Sequence, residues 1–385
     1  MTTDVLIAGA GLAGSVAAHL LSRQGIKVVL VDSRAEYPDC FKAEKIEPDQ
    51  AKLFRQFGLM DALRPHTGSI HEVLDAQHGR VLKVLNTEQY GIRYHDMVNE
   101  IRRRLPPAVD FRITRVTDIS LTPELQTVTL ADGATITARL VVMACGTGGS
   151  LSGHLGIERQ VIRKEHSSAF GFDVVPTTTR RFPFQSITYY PNGWKSGIGY
   201  LTLFPIGDNM RANLFTFRPL TDPWSRELVK EPKQTLLRAL PKLRELTGDF
   251  QVAGRVESSR IDLYRVSAPE RDGLILMGDS FQSVCPTTGT GLSKVLTDAQ
   301  VLCETCVPKW LSTPGMGRDK TAAWYRDQRK IDCDEKSLRS ATYRRQVSID
   351  GSLRWRVHRA KVLAEMLYSG WPKAFRVTKR LHSEV

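Results

Sequence analysis

The sequence predicts a mixed α/β fold: a parallel βαβ nucleus at the N-terminus, an antiparallel sheet inserted in mid-chain, and helices at the C-terminus. Three observations predict it. Residues 4–32, "DVLIAGAGLAGSVAAHLLSRQGIKVVLVD", run from a short apolar strand through a glycine-rich turn and a helical pattern into a second apolar strand. Residues 160–265 alternate apolar and polar positions between Pro, Gly and Asn breaks, which is the period of strands. After Asp298 the pattern turns helical through residue 347.

In the first element, Gly9, Gly11 and Gly14 fall in the order G-x-G-x-x-G between strand and helix. Gly9 permits the tight turn, Gly11 lets a pyrophosphate approach the backbone, and Gly14 lets the helix lie close to the strand. The helix N-terminus offers free amides and partial positive charge to phosphates. Asp32 closes the second strand 18 residues after Gly14, where it can accept hydrogen bonds from ribose hydroxyls. Ala13 and Ser33 complete this half of the expected contact set. An unoccupied βαβ unit would not need all four parts, so dinucleotide binding is expected. FAD and NAD both use this fingerprint.

Residues 278–292, "GDSFQSVCPTTGTGL", choose between them. They follow the apolar run Leu274–Met277 and open a helix. FAD is long: with its adenosine on the first βαβ unit, its ribityl chain and ring must reach another strand–loop–helix. Asp279 can hold ribityl hydroxyls or reach the pyrophosphate region through water. Gly289, Thr290, Gly291 and Leu292 form a helix start whose amides can face the flavin N1–C2=O, where negative charge collects on reduction. Pro286 lacks an N–H and stiffens the loop.

These two motifs resemble those of the FAD-dependent group A flavoprotein monooxygenases, the para-hydroxybenzoate hydroxylase-like superfamily. The resemblance spans about residues 4–330. It implies an FAD-binding Rossmann-like (GR2-type) domain, discontinuous over 1–70, 92–160 and 266–320. An inserted antiparallel-sheet substrate domain would take 71–91 and 161–265, with a C-terminal helical region at 321–385. It also implies monooxygenase chemistry, in which reduced flavin and O2 give a C4a-hydroperoxide that hydroxylates or epoxidises a small aromatic or other electron-rich substrate. In "FKAEKIEPDQAKLFRQFGL" (41–59) the family's flavin-facing basic residue corresponds to Lys45, with Lys42 next. In "YGIRYHDMVNEIRRRL" (90–105) Arg93 corresponds to a residue that contacts FAD. For both, a plain surface charge is the alternative.

The middle motif departs from the family's A-D-G-x-x-S-x-x-R. Aligned from Ala144, this chain keeps Gly146, where the backbone passes the FAD, but has Cys145 for the acid, Gly149 for the serine and Ser152 for the arginine. That acid and arginine help organise flavin reduction by a nicotinamide coenzyme. Their loss argues against the usual NAD(P)H path and favours a separate flavin reductase or electron donor, another NADPH route, or a redox role without oxygenation. Cys40 ahead of the basic segment is similar to the geranylgeranyl-reductase branch, which gives the alternative function: a reductase or dehydrogenase without oxygen insertion. The W-x-W-x-I-P signature of flavin-dependent halogenases is absent.

In the substrate half, Tyr189, Tyr190, Tyr200, Phe204, Phe215 and Phe217 are candidates for the pocket wall, with sheet core as the plainer reading of each. Catalytic candidates are His166, for its near-neutral pKa, Tyr200 and Pro286. A structural histidine is the plainer reading of His166, and no acid–base triad is evident. "TPELQTVTLADGATI" (122–136) reads as a hairpin turning at Asp132–Gly133. Cys303 and Cys306 have metal or redox spacing but no second pair, so they read as buried helical thiols and no metal site is expected.

The remaining expectations come from composition. With 385 residues, 41% hydrophobic and 25% charged, the chain has the make-up of a globular protein of two or three domains. No apolar run approaches the roughly 18 residues of a membrane span, and the N-terminus has no leader pattern. Six scattered cysteines suit a reducing compartment, so a cytoplasmic protein is expected, as monomer or homodimer. Of the net charge of +13, much lies beyond residue 310, where 17 Lys/Arg face 8 Asp/Glu. This reads as a solvated basic face, with no nucleic-acid partner. The segment from Ser352 fits either a peripheral membrane contact or a cover over the substrate entrance, and the cover is the expectation.

Overall fold

The computed structural model describes residues 1–148 and 150–384; Gly149 lies outside them. Two sheets organise the chain. The first has seven strands. Six run in the order Asp110–Ile113, Val28–Asp32, Thr2–Ala8, Thr135–Met143, Gln126–Leu130 and Val116–Ser120, and Leu274–Leu276 is added beside Thr135–Met143. Thr2–Ala8 pairs in parallel with Val28–Asp32 on one side and with Thr135–Met143 on the other, Ile7 meeting Leu30 and Val142. These strands are covered on both faces, which is why they read as continuous apolar runs.

Thr135–Met143 has a divided outer edge. Its first half pairs with Gln126–Leu130 across the expected Asp132–Gly133 hairpin, and its last three residues pair in parallel with Leu274–Leu276. The carboxyl ends of four parallel strands therefore converge. They carry Gly9, Asp32, the 144–146 turn and Gly278–Asp279, residues far apart in sequence. A crevice at the carboxyl ends of parallel strands is where open α/β sheets take ligands.

The second sheet has eight strands, ordered Phe250–Val266, Arg159–Pro176, Asn209–Thr216, Ile198–Ile206, Ser186–Tyr190, Gly68–Gln77, Arg80–Gly91 and Lys45–Ile46. It is antiparallel except at one place, where Ser186–Tyr190 lies parallel to Gly68–Gln77. Those two strands come from separate passes of the chain, so no hairpin forces them antiparallel. Period-two alternation divides its faces. Ile187, Tyr189, Leu201, Leu203, Ala212 and Leu214 enter a core closed by Leu228, Leu236 and Leu246 of the following helices. Thr188, Tyr190, Tyr200, Thr202, Phe204, Asn213 and Phe215 face the other way, into a cavity.

The C-terminal helices are Arg318–Tyr325, Gln328–Ile349 and Leu353–Glu384. The last one does not cover the substrate entrance. It crosses the Arg80–Gly91 strand, burying Ala374 and Leu381 in the core on the side away from the cavity, and Thr378 Oγ1 accepts the Val81 N–H at 2.9 Å. The helix that does reach the cavity is Gln328–Ile349, through Arg344. Cys303 and Cys306 are buried in a π-helical turn, Val301–Cys306, and among the described residues no group of His, Cys, Asp and Glu could hold a metal. No helix of the described residues is long and apolar enough to cross a membrane.

Candidate active site

The glycines of the first turn are separated by what surrounds them. Gly9 has φ +103°, and a Cβ there would lie 2.6 Å from Ala144 O; at Gly14 it would lie 1.9 Å from Gly9 O. At Gly11 the nearest atom to such a Cβ is in the Tyr37 ring, 3.8 Å away. Two glycines are thus required by packing, while a Cβ at the third would make only ordinary contact with the Tyr37 ring. The first amide of helix Leu12–Ser22 to be used internally is that of Ser15, which donates to Gly11 O at 2.9 Å. The amides of Leu12, Ala13 and Gly14 are left as terminal donors.

Asp32 accepts from Ala10 N–H at 2.7 Å and Arg34 N–H at 3.0 Å, which fixes the carboxylate at the strand end; Ser33 beside it is exposed. Arg102, which the sequence did not single out, secures this corner. It donates to Ala10 O at 2.7 Å and to Arg34 O and Ala35 O at 2.9 Å, with Asp32 at 3.3 Å.

At the other end, a cavity of about 750 Å³ is lined by Asp279, Pro286 through Gly289, Gly291 and Leu292 on one side and by the aromatic face of the second sheet on the other. A shallower depression of about 920 Å³ on the outer surface, beside His71 and Arg181, holds none of the motif residues. Helix Gly291–Gln300 first uses the Lys294 N–H, which donates to Thr290 O at 2.9 Å, so the Gly291, Leu292 and Ser293 amides are its terminal donors. Gly289 has φ +67°, a turn that suits glycine. Burial pushes the Asp279 carboxyl up from its ordinary range, with Lys42, Lys294 and Arg159 pulling it back.

Behind this loop lies a buried group of four charges. Lys294 meets Asp298 at 3.1 Å and Asp334 at 2.7 Å; Lys330 meets the same two carboxylates at 3.0 and 2.9 Å, and all four side chains are at most 2% exposed. Asp298 also accepts the Gly278 N–H at 2.9 Å. Two positive and two negative charges satisfy one another, as buried charges must.

The basic candidates separate. Lys42 and Lys45 both line the cavity. Lys45 pairs with Glu47 at 3.0 Å. Lys42 donates to Tyr37 Oη at 3.2 Å and lies over the Tyr94 ring at 5.4 Å. Burial works against its cation, but Tyr94, Tyr37 and Asp279 outweigh it and hold its pKa above the usual range. Arg93 is not among the cavity's lining residues. Its guanidinium donates to both Asp173 oxygens at 2.7 and 2.6 Å and to Glu44 at 3.4 Å, in an ion cluster centred on buried Arg211. An arginine so engaged has few donors left for a cofactor.

His166 does not line the cavity either. It is 1% exposed, its ring edge-on to Phe217, and burial first, then Arg345 and Arg163, pull its pKa down to about 4 against the Ala341 backbone, which pulls the other way. A neutral ring sealed behind the sheet corrects its candidacy for proton transfer. Tyr189 turns into the core and accepts the Gly79 N–H. Tyr190, Tyr200, Phe204 and Phe215 face the cavity. Tyr200 donates to Thr287 O at 2.9 Å, tying the sheet to the Pro286 loop.

In the middle motif, Gly146 has φ +64° and its carbonyl accepts from Ser280 at 3.4 Å, joining the two strand-end turns. Cys145 donates its thiol proton to Ala8 O at 3.2 Å, and Ser152 is buried without a hydrogen-bond partner; Gly149, the third aligned position, lies outside the described residues. The turn is held by Arg159 instead, which donates to Thr147 O and Gly148 O at 2.8 and 2.9 Å. The sequence pattern gave no sign of that substitution.

A dinucleotide corner and an aromatic cavity joined through a glycine-opened helix define a flavoprotein oxidoreductase. The chain matches the FAD binding domain family over residues 2–307 and belongs to it, within the group A flavoprotein monooxygenases; its cofactor is FAD. It is 23% identical over 319 residues to the 3-amino-4-hydroxybenzoate 2-monooxygenase PtmB3 of Streptomyces platensis, covering 78% of each chain. It is 25% identical over 324 residues to the ubiquinone hydroxylase UbiL of Rhodospirillum rubrum, covering 79% of this chain and 72% of that one. The crystal structure of p-nitrophenol 4-monooxygenase PnpA from Pseudomonas putida DLL-E4 superposes with a TM-score of 0.76 at 18% identity, covering 100% of this chain and 97% of that one.

Proposed function

We propose that this enzyme inserts one atom of O2 into a small aromatic or similarly electron-rich organic substrate, by hydroxylation or epoxidation. The observation that carries the reading is the shared cavity: Asp279 and the Pro286–Leu292 loop form one wall and Tyr190, Tyr200, Phe204 and Phe215 the other. FAD, when bound, supplies the two electrons that activate O2, giving oxygenated product and water with uptake of two protons. The chain's own part is positioning and exclusion of water. Gly11 and the Leu12–Gly14 amides would take the pyrophosphate, Asp32 the ribose, Asp279 the ribityl chain, and the Gly291–Ser293 amides the ring's N1–C2=O edge. Lys42 is better placed than Lys45 to face the ring, being free of a carboxylate partner.

The electron donor follows from the middle motif. Cys145 and Ser152 cannot reproduce the charge pair that orders a nicotinamide coenzyme, and Arg159 gives two of its donors to the turn's own carbonyls. We infer that electrons arrive from a separate reductase or by another NADPH route. The alternative, a reductase without oxygen insertion, rests on Cys40 alone, a half-buried thiol that burial pushes up from its usual range.

One experiment tests both statements. Enzyme reduced anaerobically by dithionite is mixed with ¹⁸O2 across a substrate panel, and parallel stopped-flow runs replace dithionite with NADH or NADPH. Label in the product is expected, with slow reduction by either coenzyme. Turnover without label in any product overturns the monooxygenase; fast, saturable reduction by NADPH overturns the inference about the donor.

A further inference from the structure

The first half of the last helix, Leu353–Glu384, has two faces that meet opposite surroundings. At 3.6 residues per turn, Trp355, His358, Arg359 and Val362 share one side, and all four are half-buried. The Trp355 ring lies edge-on to Tyr343 with centres 5.8 Å apart, and His358 Nε2 is 2.9 Å from Tyr343 Oη. Arg359 donates to Val347 O and Asp350 O at 3.1 and 2.9 Å. That side ties the segment to the end of helix Gln328–Ile349, whose Arg344 reaches the cavity. The opposite side carries Leu353, Val357, Ala360, Ala364 and Tyr368, all exposed, within an arc of about 80°. Leu353 is 73% exposed, Val357 60% and Tyr368 92%.

Single apolar side chains are common on a protein surface, but a continuous stripe of them marks a contact. The charges beside this stripe say with what. Exposed Arg354 and Lys361 stand along one edge of it and exposed Arg356 along the other; Lys361 lies 4.0 Å from Glu365. Over residues 353–368 four Lys/Arg face that single acid. We propose that the stripe docks the enzyme on an anionic membrane surface. The helix lies in the plane of the interface, its apolar residues among the acyl chains and its flanking cations at the headgroups. A second copy of the chain suits the stripe less well. Pairing stripe to stripe would crowd Arg354, Arg356 and Lys361 of both copies together, with one Glu365 from each to balance them. The inference is independent of the chemistry in the cavity. It sets the membrane beside the helix end from which Arg344 enters that cavity.

The test sediments the full-length, FAD-loaded enzyme with two kinds of vesicle, phosphatidylcholine alone and phosphatidylcholine mixed with phosphatidylglycerol, at low and high salt. Partition onto the mixed vesicles should exceed that onto the neutral ones about tenfold or more, and salt should weaken it. Val357→Asn with Tyr368→Asn leaves the net charge unchanged and should cut partition onto the mixed vesicles about tenfold or more, by removing apolar area from the contact. Arg354→Gln with Arg356→Gln should lower the preference for anionic lipid about fivefold or more. All variants should keep the wild-type flavin content, since neither pair stands in the cavity. Equal partition onto both vesicles, or none onto either, overturns the proposal. So does an asparagine variant that binds like wild type, which would mean adsorption of a basic protein without insertion. A concentration-dependent dimer in light scattering that the asparagine variant dissolves would assign the stripe to a second copy instead.

Discussion

Gly11 and Gly14 stand in the same short motif but should fail in different ways when replaced. A methyl group on Gly14 would meet Gly9 O at 1.9 Å, so helix and strand must part. Gly14→Ala is expected to cost about 1–3 kcal/mol or more of stability, the range for overpacking, and to abolish FAD retention. A methyl group on Gly11 meets nothing closer than 3.8 Å. Gly11→Ala should leave the apoprotein within about 0.5 kcal/mol of wild type while weakening FAD roughly tenfold or more, because the methyl fills the space kept for phosphate. Denaturation of the apoproteins beside FAD titration separates the two outcomes; equal loss of stability in both would contradict the assignment. His166 gives a second residue-scale prediction. Its folded pKa of about 4 lies below the ordinary 6.5. Above pH 6.5 neither state is protonated and nothing changes. As pH falls from 6.5 to 4 the unfolded chain takes up a proton that the folded chain refuses, and stability drops by about 2–3 kcal/mol. His166→Phe should flatten that part of the pH profile of chemical denaturation, and an unchanged slope would count against it.

Two helices, Gly291–Gln300 and Gln328–Ile349, are joined by the Lys294, Asp298, Lys330 and Asp334 quartet, which also carries the strand-end turn through Gly278 N–H. Removing one member leaves a buried charge without its balance. Lys330→Met is expected to cost about 3–5 kcal/mol and to release FAD, whereas Lys330→Met with Asp334→Leu should recover a good part of that loss, since replacing a buried pair together is far milder than breaking it. The measurement is a double-mutant cycle by chemical denaturation with flavin content read in parallel; additive losses would show that the quartet is not a unit. The sequence contains the two Lys-x-x-x-Asp spacings in plain view. What it does not contain is any statement that the two helices touch. The same division runs through the site. Gly9, Gly14, Asp32 and the Gly289–Gly291 turn were legible because turn geometry and strand–helix packing are local. Arg159, Arg102 and the engagement of Arg93 by Asp173 were not, since each depends on which loops a long side chain finds across the fold.

At the scale of the whole molecule the two sheets and the period of their strands were readable, because alternation reports burial directly. That alternation divides Tyr189 from Tyr190, one into the core and one into the cavity, and only the sheet's orientation decides which. The parallel seam between Ser186–Tyr190 and Gly68–Gln77 was not readable, since no turn links the two strands. Nor was the course of the last helix, whose basic and aromatic residues suit a cover as well as they suit the strand it crosses. The quartet beneath the flavin loop bears on time as well as on space. A ribosome delivers Gly9, Asp32, Asp279 and Gly291 long before it delivers Lys330 and Asp334. Until residue 334 has left the exit tunnel, Lys294 and Asp298 lack two of their partners and the loop hung on Gly278 lacks its final support. A stretch translated after the loop therefore completes the support of its Gly278 turn.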